Sequence, residues 1–301
     1  MPNLALLIVC FLFGMLMRRL GRFPEATPSV LNAFIIHVSL PALTLLYVHE
    51  LPLDRSLAYP AAMAWVLFAL GFVFFIALGR AMGWPRKTVG GLILVGSLAN
   101  TSFLGLPMIE TFYGEEHLGL GILIDQLGTY LVLSTLGILV AVTYASGDTS
   151  PAAIAGRILR FPPFQAVVLA LLLKPFAYPA GVELVLGKLG ATLAPLALVS
   201  VGYQLRLDAL RGKLAALSAG LAFKLVMGPA LILGLFAGAL GAGGAPIQIT
   251  VFEAAMAPQI GASIVALENK LDPPLVTLMV GIGIPLSFVT LPVWWYLLQG
   301  V

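Results

Sequence analysis

Leu98-Ala-Asn100-Thr-Ser102-Phe-Leu-Gly105-Leu-Pro107 sets an amide, two hydroxyls, a glycine and a proline inside an otherwise apolar run. A helix crossing lipid must satisfy its own backbone groups, so an interruption at that depth is tolerated only where protein or water takes over. Pro107 has no N–H and clashes with the carbonyl of Phe103, and Gly105 permits a non-helical backbone. The stretch predicts a broken helix whose second half opens on unpaired N–H groups that favour an anion. Read alone, it also fits a proline kink capped by Asn100. A second stretch, Ala254-Ala-Met-Ala-Pro258-Gln259-Ile-Gly261-Ala-Ser263, breaks another apolar run in the same way and tips the reading toward a site. Paired breaks in corresponding hydrophobic segments are the best sequence pointer to a substrate site in a secondary transporter.

The pairing extends outward. Pro41 and Pro195 each interrupt an apolar segment, and thirteen residues beyond each comes Leu-x-Leu-Asp, ending at Asp54 and at Asp208. The chain reads as two copies of one design offset by 154 residues. Apolar runs between polar punctuation give ten candidate helices at 3–18, 28–49, 57–79, 87–113, 117–145, 163–180, 184–205, 213–240, 246–268 and 273–299. The longest polar break joins the fifth and sixth. This divides the chain into a first five-helix repeat (1–145), a linker (146–162) and a second repeat (163–301), with the breaks in helices 4 and 9.

Composition sets the solvent. Residues are 60% hydrophobic and 10% charged, with a mean hydropathy of +1.04, whereas a soluble domain carries about a quarter charged residues. The expected class is an all-α integral membrane protein, since the runs suit helices of about 20 residues and lack the alternation of barrel strands. Cys10 is the single cysteine and lies in the first apolar run, which leaves no disulfide framework or thiolate metal site. That first run follows Met1-Pro-Asn with no basic region or cleavage site, and reads as a retained span.

The net charge of +3 does not indicate nucleic acid, because the basic residues lie in short loops. Sorted by alternate loops, Lys and Arg divide twelve to three, with Lys224 inside a span. By the positive-inside rule both termini face out of the cytoplasm. Five spans per repeat is an odd number, so the second repeat is inverted relative to the first.

Few residues remain to carry chemistry. Asn100, Thr101 and Ser102 in the first break and Gln259 in the second are candidate substrate ligands, although intramembrane amides also serve to join helices. Lys224 lies eleven residues after Lys213, about 16 Å along a helix at ~1.5 Å per residue, near the middle of a core ~30 Å thick. A charge at that depth is a functional candidate needing a partner. Asp125 and Glu253, on the fifth and ninth helices, are the acids within range, and a fixed structural ion pair is the plainer alternative. His37 has no metal-binding companions and reads as packing. Phe103 and Tyr130 could line a pocket. No Walker loop, His-Glu-x-x-His or Gly-x-Ser-x-Gly occurs, so the chain reads as no enzyme and as no ATP-driven pump by itself.

At these residues the chain resembles the auxin efflux carrier family, which joins plant auxin exporters to bacterial malate and malonate carriers. The matching stretches run in family order over nearly the full length. They are Leu40-Pro41-Ala-Leu, Gly96 through Pro107, Tyr113-Gly-Glu-Glu, Ala194-Pro195 through Gly202, Lys224 with Pro229, Ala254 through Pro258 and Thr290-Leu-Pro292. The resemblance implies ten helices in two inverted repeats, as in bile acid:sodium symporters, with broken helices 4 and 9 crossing at the centre. It implies a scaffold of helices 1, 2, 6 and 7, a moving core of helices 3–5 and 8–10, and a homodimer through the scaffold. It makes Asn100 the first crossover asparagine and Pro258 the second crossover proline. The long cytoplasmic loop of plant members is absent, which suits a bacterial organic-acid carrier better than an auxin exporter.

The resulting expectation is a secondary carrier of small organic anions in the cytoplasmic membrane, working by alternating access and without a bound cofactor. Asn100, Thr101, Ser102 and Gln259 would hold the carboxylate, and Lys224 would balance charge against Asp125 or Glu253. Gly105, Pro107, Pro258 and Gly261 would break the helices. The rival on the same fold is a sodium- or proton-coupled symporter or antiporter using Asp125 and Glu253, and the rival of another class is a membrane sensor or channel.

Overall fold

A computed structural model describes residues 2–50, 58–145, 156, 159–160, 162–205 and 210–301. Asp54, Asp208 and most of the 146–162 linker lie outside the described residues. Every regular element among the described residues is helical: α1 (Pro2–Leu20), α2 (27–50), α3 (Ala58–Ala81), α4 (Arg86–Ser97), α5 (101–112), α6 (Leu118–Ala145), α7 (Pro162–Leu173), α8 (Ala180–Gln204), α9 (210–239), α10 (Ala245–Ala254), α11 (Ile260–Glu268) and α12 (Pro273–Leu298). Among the described residues, six continuous stretches are long and apolar enough to cross a membrane: Thr27–Leu46, Pro60–Ala81, Leu118–Ala145, Ala180–Gln204, Gly212–Ala239 and Pro273–Leu298. The protein is a multi-pass membrane protein. The expected segments 87–113 and 246–268 are each divided in two, into α4 with α5 and α10 with α11.

One expected boundary shifts. The segment predicted over 163–180 is helical only to Leu173, and α8 opens at Ala180. Pro175 and Pro179 explain this, since a proline pushes the residue before it out of the helical region, and Pro179 itself is extended (φ −59°, ψ 140°).

Packing follows residue size. α1 lies along the second half of α8, and α7 lies along residues 40–50 of α2. At the α1–α8 contact the backbones nearly touch: a methyl on Gly14 would sit 2.2 Å from the Val199 carbonyl oxygen, and one on Gly202 would sit 2.2 Å from that of Phe11. Small residues at such contacts replace the hydrophobic drive that helices lose in lipid. Polar pairs fasten α2 to α8, where Ser200 Oγ donates to Asn32 Oδ1 at 2.6 Å and Ser39 Oγ meets Thr192 Oγ1 at 2.7 Å. α4 and α11, by contrast, are buried on nearly all sides, as a helix apolar all round must be. Lys213 Nζ and Thr88 Oγ1 both donate to Asp272 Oδ2, at 2.6 and 2.5 Å, which ties the starts of α4, α9 and α12 together. The outer faces stay apolar: Val9 and Leu12 on α1 and Val289 and Val293 on α12 are all exposed. In water such a surface would aggregate; in lipid it is solvated.

Several helices contain turns with i→i+5 bonding: Ile35–Ser39, Thr101–Gly105, Ile124–Tyr130, Leu133–Gly137, Phe223–Met227 and Gly234–Ala239. Such turns concentrate at functional sites. The turn in α9 has a visible cause. Pro229 offers no N–H to the Leu225 carbonyl four residues earlier, and Trp294 Nε1 from α12 donates to that carbonyl instead, at 2.8 Å.

Candidate functional site at the two helix breaks

The first break lies at Leu98–Asn100, earlier than the sequence suggests. Leu98 is extended (φ −100°, ψ 134°) and Asn100 stands outside the helix (φ −82°, ψ 68°). Gly105 and Pro107, expected to break the helix, are both helical members of α5. Pro107 stands just past the i→i+5 turn Thr101–Gly105 inside α5, and that turn accommodates a residue with no N–H to give. Gly105 is required for closeness instead: a methyl there would lie 2.4 and 2.6 Å from the two carboxylate oxygens of Glu253. The second break spans 255–259 and contains Pro258, whereas Gly261 is already in the first turn of α11.

The two breaks satisfy one another. Asn100 N–H donates to Ala257 O at 2.9 Å and Gln259 N–H donates to Leu98 O at 3.1 Å, with Ala99 and Pro258 facing each other in an antiparallel bridge. Backbone groups that would be costly in hydrocarbon are thereby paired within the protein. Asn100 and Gln259 stand immediately before α5 and α11, yet neither side chain caps its own helix. Asn100 is 1% exposed, and among the described residues neither its Oδ1 nor its Nδ2 has a hydrogen-bond partner; Gln259 Oε1 has none there either. Two helix N-termini, with their free first-turn N–H groups and partial positive charge, therefore meet at one buried point with the unpartnered Asn100 amide and the unpartnered Gln259 oxygen.

Charged groups surround that point. Asp125, in the α6 turn Ile124–Tyr130, accepts from Thr101 Oγ1 at 2.5 Å, with Ser102 also in reach. Thr101 thus spends its hydroxyl proton on a carboxylate and cannot also donate it to an anion. Glu253, on α10, is fully buried, and among the described residues neither of its oxygens has a hydrogen-bond partner; it lies within electrostatic reach of Asp125 and Lys224. Lys224, in the turn Phe223–Met227, is also fully buried. It forms a salt bridge with neither expected acid; its Nζ donates to Ala254 O at 2.6 Å. That carbonyl closes α10, so the ammonium sits at the negative end of a helix dipole and beside the second break.

Other residues named from the sequence lie apart. Tyr130 donates to Leu40 O at 2.9 Å and meets Thr44 Oγ1, joining α6 to α2. His37 Nδ1 bonds Ala33 O at 2.9 Å within its own helix. Sequence reading passed over Ser97 and Thr129, whose buried hydroxyls have no partner among the described residues. For Thr129 a signal existed, since Asp125, Gln126 and Thr129 recur within one apolar run; Ser97 offered none.

A family model described as membrane transport protein matches residues 1–295. The chain is 29% identical over 290 residues to an uncharacterized transporter of Methanothermobacter thermautotrophicus, covering 95% of this chain and 94% of that one. It is 24% identical over 220 residues to an uncharacterized transporter of Methanocaldococcus jannaschii, covering 70% of each.

Proposed function

The chain belongs to the membrane transport protein family, the auxin efflux carrier family of the resemblance, and from that premise we propose that it is a secondary carrier of small organic anions working by alternating access. It is a transporter rather than an enzyme. The observation that carries the anion reading is the convergence of two helix N-termini with the unpartnered Asn100 amide, beside Gln259. A carboxylate there accepts from Asn100 Nδ2, from the Gln259 amide and from first-turn N–H groups, with Ser102 at the edge. Thr101 and Asp125 act as a pair that holds the start of α5. Lys224, against Asp125 and Glu253, sets the local charge as the substrate enters and leaves.

In this reading the chain crosses the membrane ten times as two inverted five-helix repeats, with α4–α5 and α10–α11 as the crossing broken helices. The mirrored contacts of α1 with α8 and of α7 with α2 support it, because helices 1 and 2 of one repeat correspond to helices 6 and 7 of the other. α1, α2, α7 and α8 form the scaffold and the rest the moving core, with both termini outside the cytoplasm and a scaffold-mediated dimer as the assembly. Cysteine labelling at Ser150→Cys and Gly243→Cys in a Cys10→Ser background should report from opposite sides; the same side for both would remove the ten-span threading.

The test of the site is a thermal-shift screen of monocarboxylates, dicarboxylates and indole acids on purified protein, because a ligand of the folded state raises its apparent stability. Asn100→Ala should then weaken the best ligand roughly ten- to hundredfold, the worth of a hydrogen bond to a charged group, about 1.5–3 kcal/mol. Asn100→Asp should bind more weakly still, since it sets a negative charge against the substrate's own. Unchanged affinity in a folded Asn100→Asp variant overturns the anion site. Glu253 favours a second reading on the same fold, in which a sodium ion or proton couples at Glu253 and Asp125, because both Glu253 oxygens are buried and unpartnered among the described residues. Uptake into liposomes that requires a sodium or proton gradient would support it.

A further inference from the structure

Away from the breaks, α3, α4 and the end of α6 line an open groove of about 770 Å³. We propose that it binds the headgroup and upper acyl chain of an anionic phospholipid. Its mouth holds Arg80, in the last turn of α3, and Arg86, the first residue of α4. Gly83, at φ +65°, turns the chain sharply enough to bring the two together. Arg86 is held in place: Nη2 donates to Thr143 O at 2.7 Å and the guanidinium lies over the Tyr144 ring, 5.4 Å from its centroid. That arrangement uses one of its five N–H donors. Arg80 lies within electrostatic reach of Tyr144 and forms no salt bridge among the described residues. Among the described residues no carboxylate lines the groove, so within them the two guanidinium groups have no counter-charge.

The inner wall decides between a soluble anion and a lipid. Phe72, Ile76, Leu139 and Val140 line it, and Phe72 lies eight residues before Arg80 on α3, about 12 Å deeper at ~1.5 Å per residue. A free phosphate would leave that apolar length in contact with water, whereas a phospholipid fills the mouth with its phosphodiester and the wall with an acyl chain. Trp84 beside the mouth suits the headgroup level, where tryptophan is enriched. Arginines at the mouth of an apolar groove between membrane helices are a recognised headgroup chemistry. The inference is independent of the transported solute.

Native mass spectrometry of detergent-purified, delipidated protein tests it, with phosphatidylglycerol, phosphatidylcholine and free glycerol phosphate as probes. The wild type should retain phosphatidylglycerol in preference to phosphatidylcholine. Arg80→Gln and Arg86→Gln should each weaken it about fivefold, the worth of one basic residue near an anionic lipid surface, and the double variant more. Lys270→Gln, a loop cation outside the groove, should leave it unchanged. Melting curves check the fold, and because Arg86 also bonds Thr143, Arg80→Gln carries the test if Arg86→Gln does not fold. Undiminished phosphatidylglycerol binding by folded Arg80→Gln, or equal retention of phosphatidylcholine, overturns the site. Displacement of the lipid by equimolar glycerol phosphate also overturns it, by making this a soluble-phosphate site.

Discussion

The two helix breaks share a backbone and differ in charge. At the first, the nearby acid is engaged: Asp125 accepts from Thr101. At the second, Glu253 has no hydrogen bond among the described residues, and a buried ammonium, Lys224, bonds the carbonyl that ends α10. No lysine or arginine lies between Lys87 and Ala145, so the stretch that carries the first break and Asp125 supplies no cation there. The two breaks thus share a backbone arrangement, while the buried cation and the unpartnered acid both stand at the second.

Lys224→Ala should have the largest effect. It leaves buried carboxylates without their cation and Ala254 O without a donor, which destabilises by ~3–5 kcal/mol and should lower transport at least about a hundredfold. Counterflow in proteoliposomes, read beside a melting curve, measures both. Adding Glu253→Gln should restore much of the stability, and adding Asp125→Asn should not, because Asp125 already has Thr101. Equal rescue by the two would erase the difference between the breaks, and wild-type transport by Lys224→Ala would remove the residue from the mechanism. Thr101→Val probes the first break and should cost about 1.5–3 kcal/mol, the range for a hydrogen bond to a charged group.

A glycine pair sharpens the comparison. A methyl added at Gly105 would press on the Glu253 carboxylate at 2.4–2.8 Å, whereas one at Gly261 would meet only the Leu133 Cδ2 methyl, at 3.1 Å. Gly105→Ala should therefore destabilise by ~1–3 kcal/mol through overpacking and Gly261→Ala by less, with denaturation midpoints as the readout. The smallest effect belongs to Trp294→Phe, which removes the donor to Leu225 O; hydrogen bonds between membrane helices average about 0.6 kcal/mol and reach about 1.7. A larger loss would show that the α9 turn holding Lys224 depends on that indole.

Much of this was legible because lipid is a strict solvent. Polar residues, glycine and proline inside apolar runs located both interrupted helices, and Lys224 announced itself by depth. The position of the first break was not legible. Pro107 and Gly105 drew attention to themselves, but the chain leaves the helix at Leu98, where its partner, residues 257–259, is far away in sequence. The fivefold-spaced turns were missed because i→i+5 bonding has no fixed residue signature. The Lys224 contact was missed because a main-chain carbonyl looks the same at every position. The expected acid partner followed from charge alone, and the helix end supplied an alternative that a list of side chains omits.

The reciprocal bonds between Leu98, Asn100, Ala257 and Gln259 also bear on how the protein is made. Ribosomes add about 5–20 residues per second, so the 159 residues from Asn100 to Gln259 take ~8–30 s to synthesise. Throughout that interval the first half, already threaded into the bilayer, presents a carbonyl and an N–H whose eventual partners do not yet exist. A nascent chain stopped before residue 257 thus carries unpaired backbone groups within lipid, and the joined pair of helix breaks is among the last parts of the molecule to come into being.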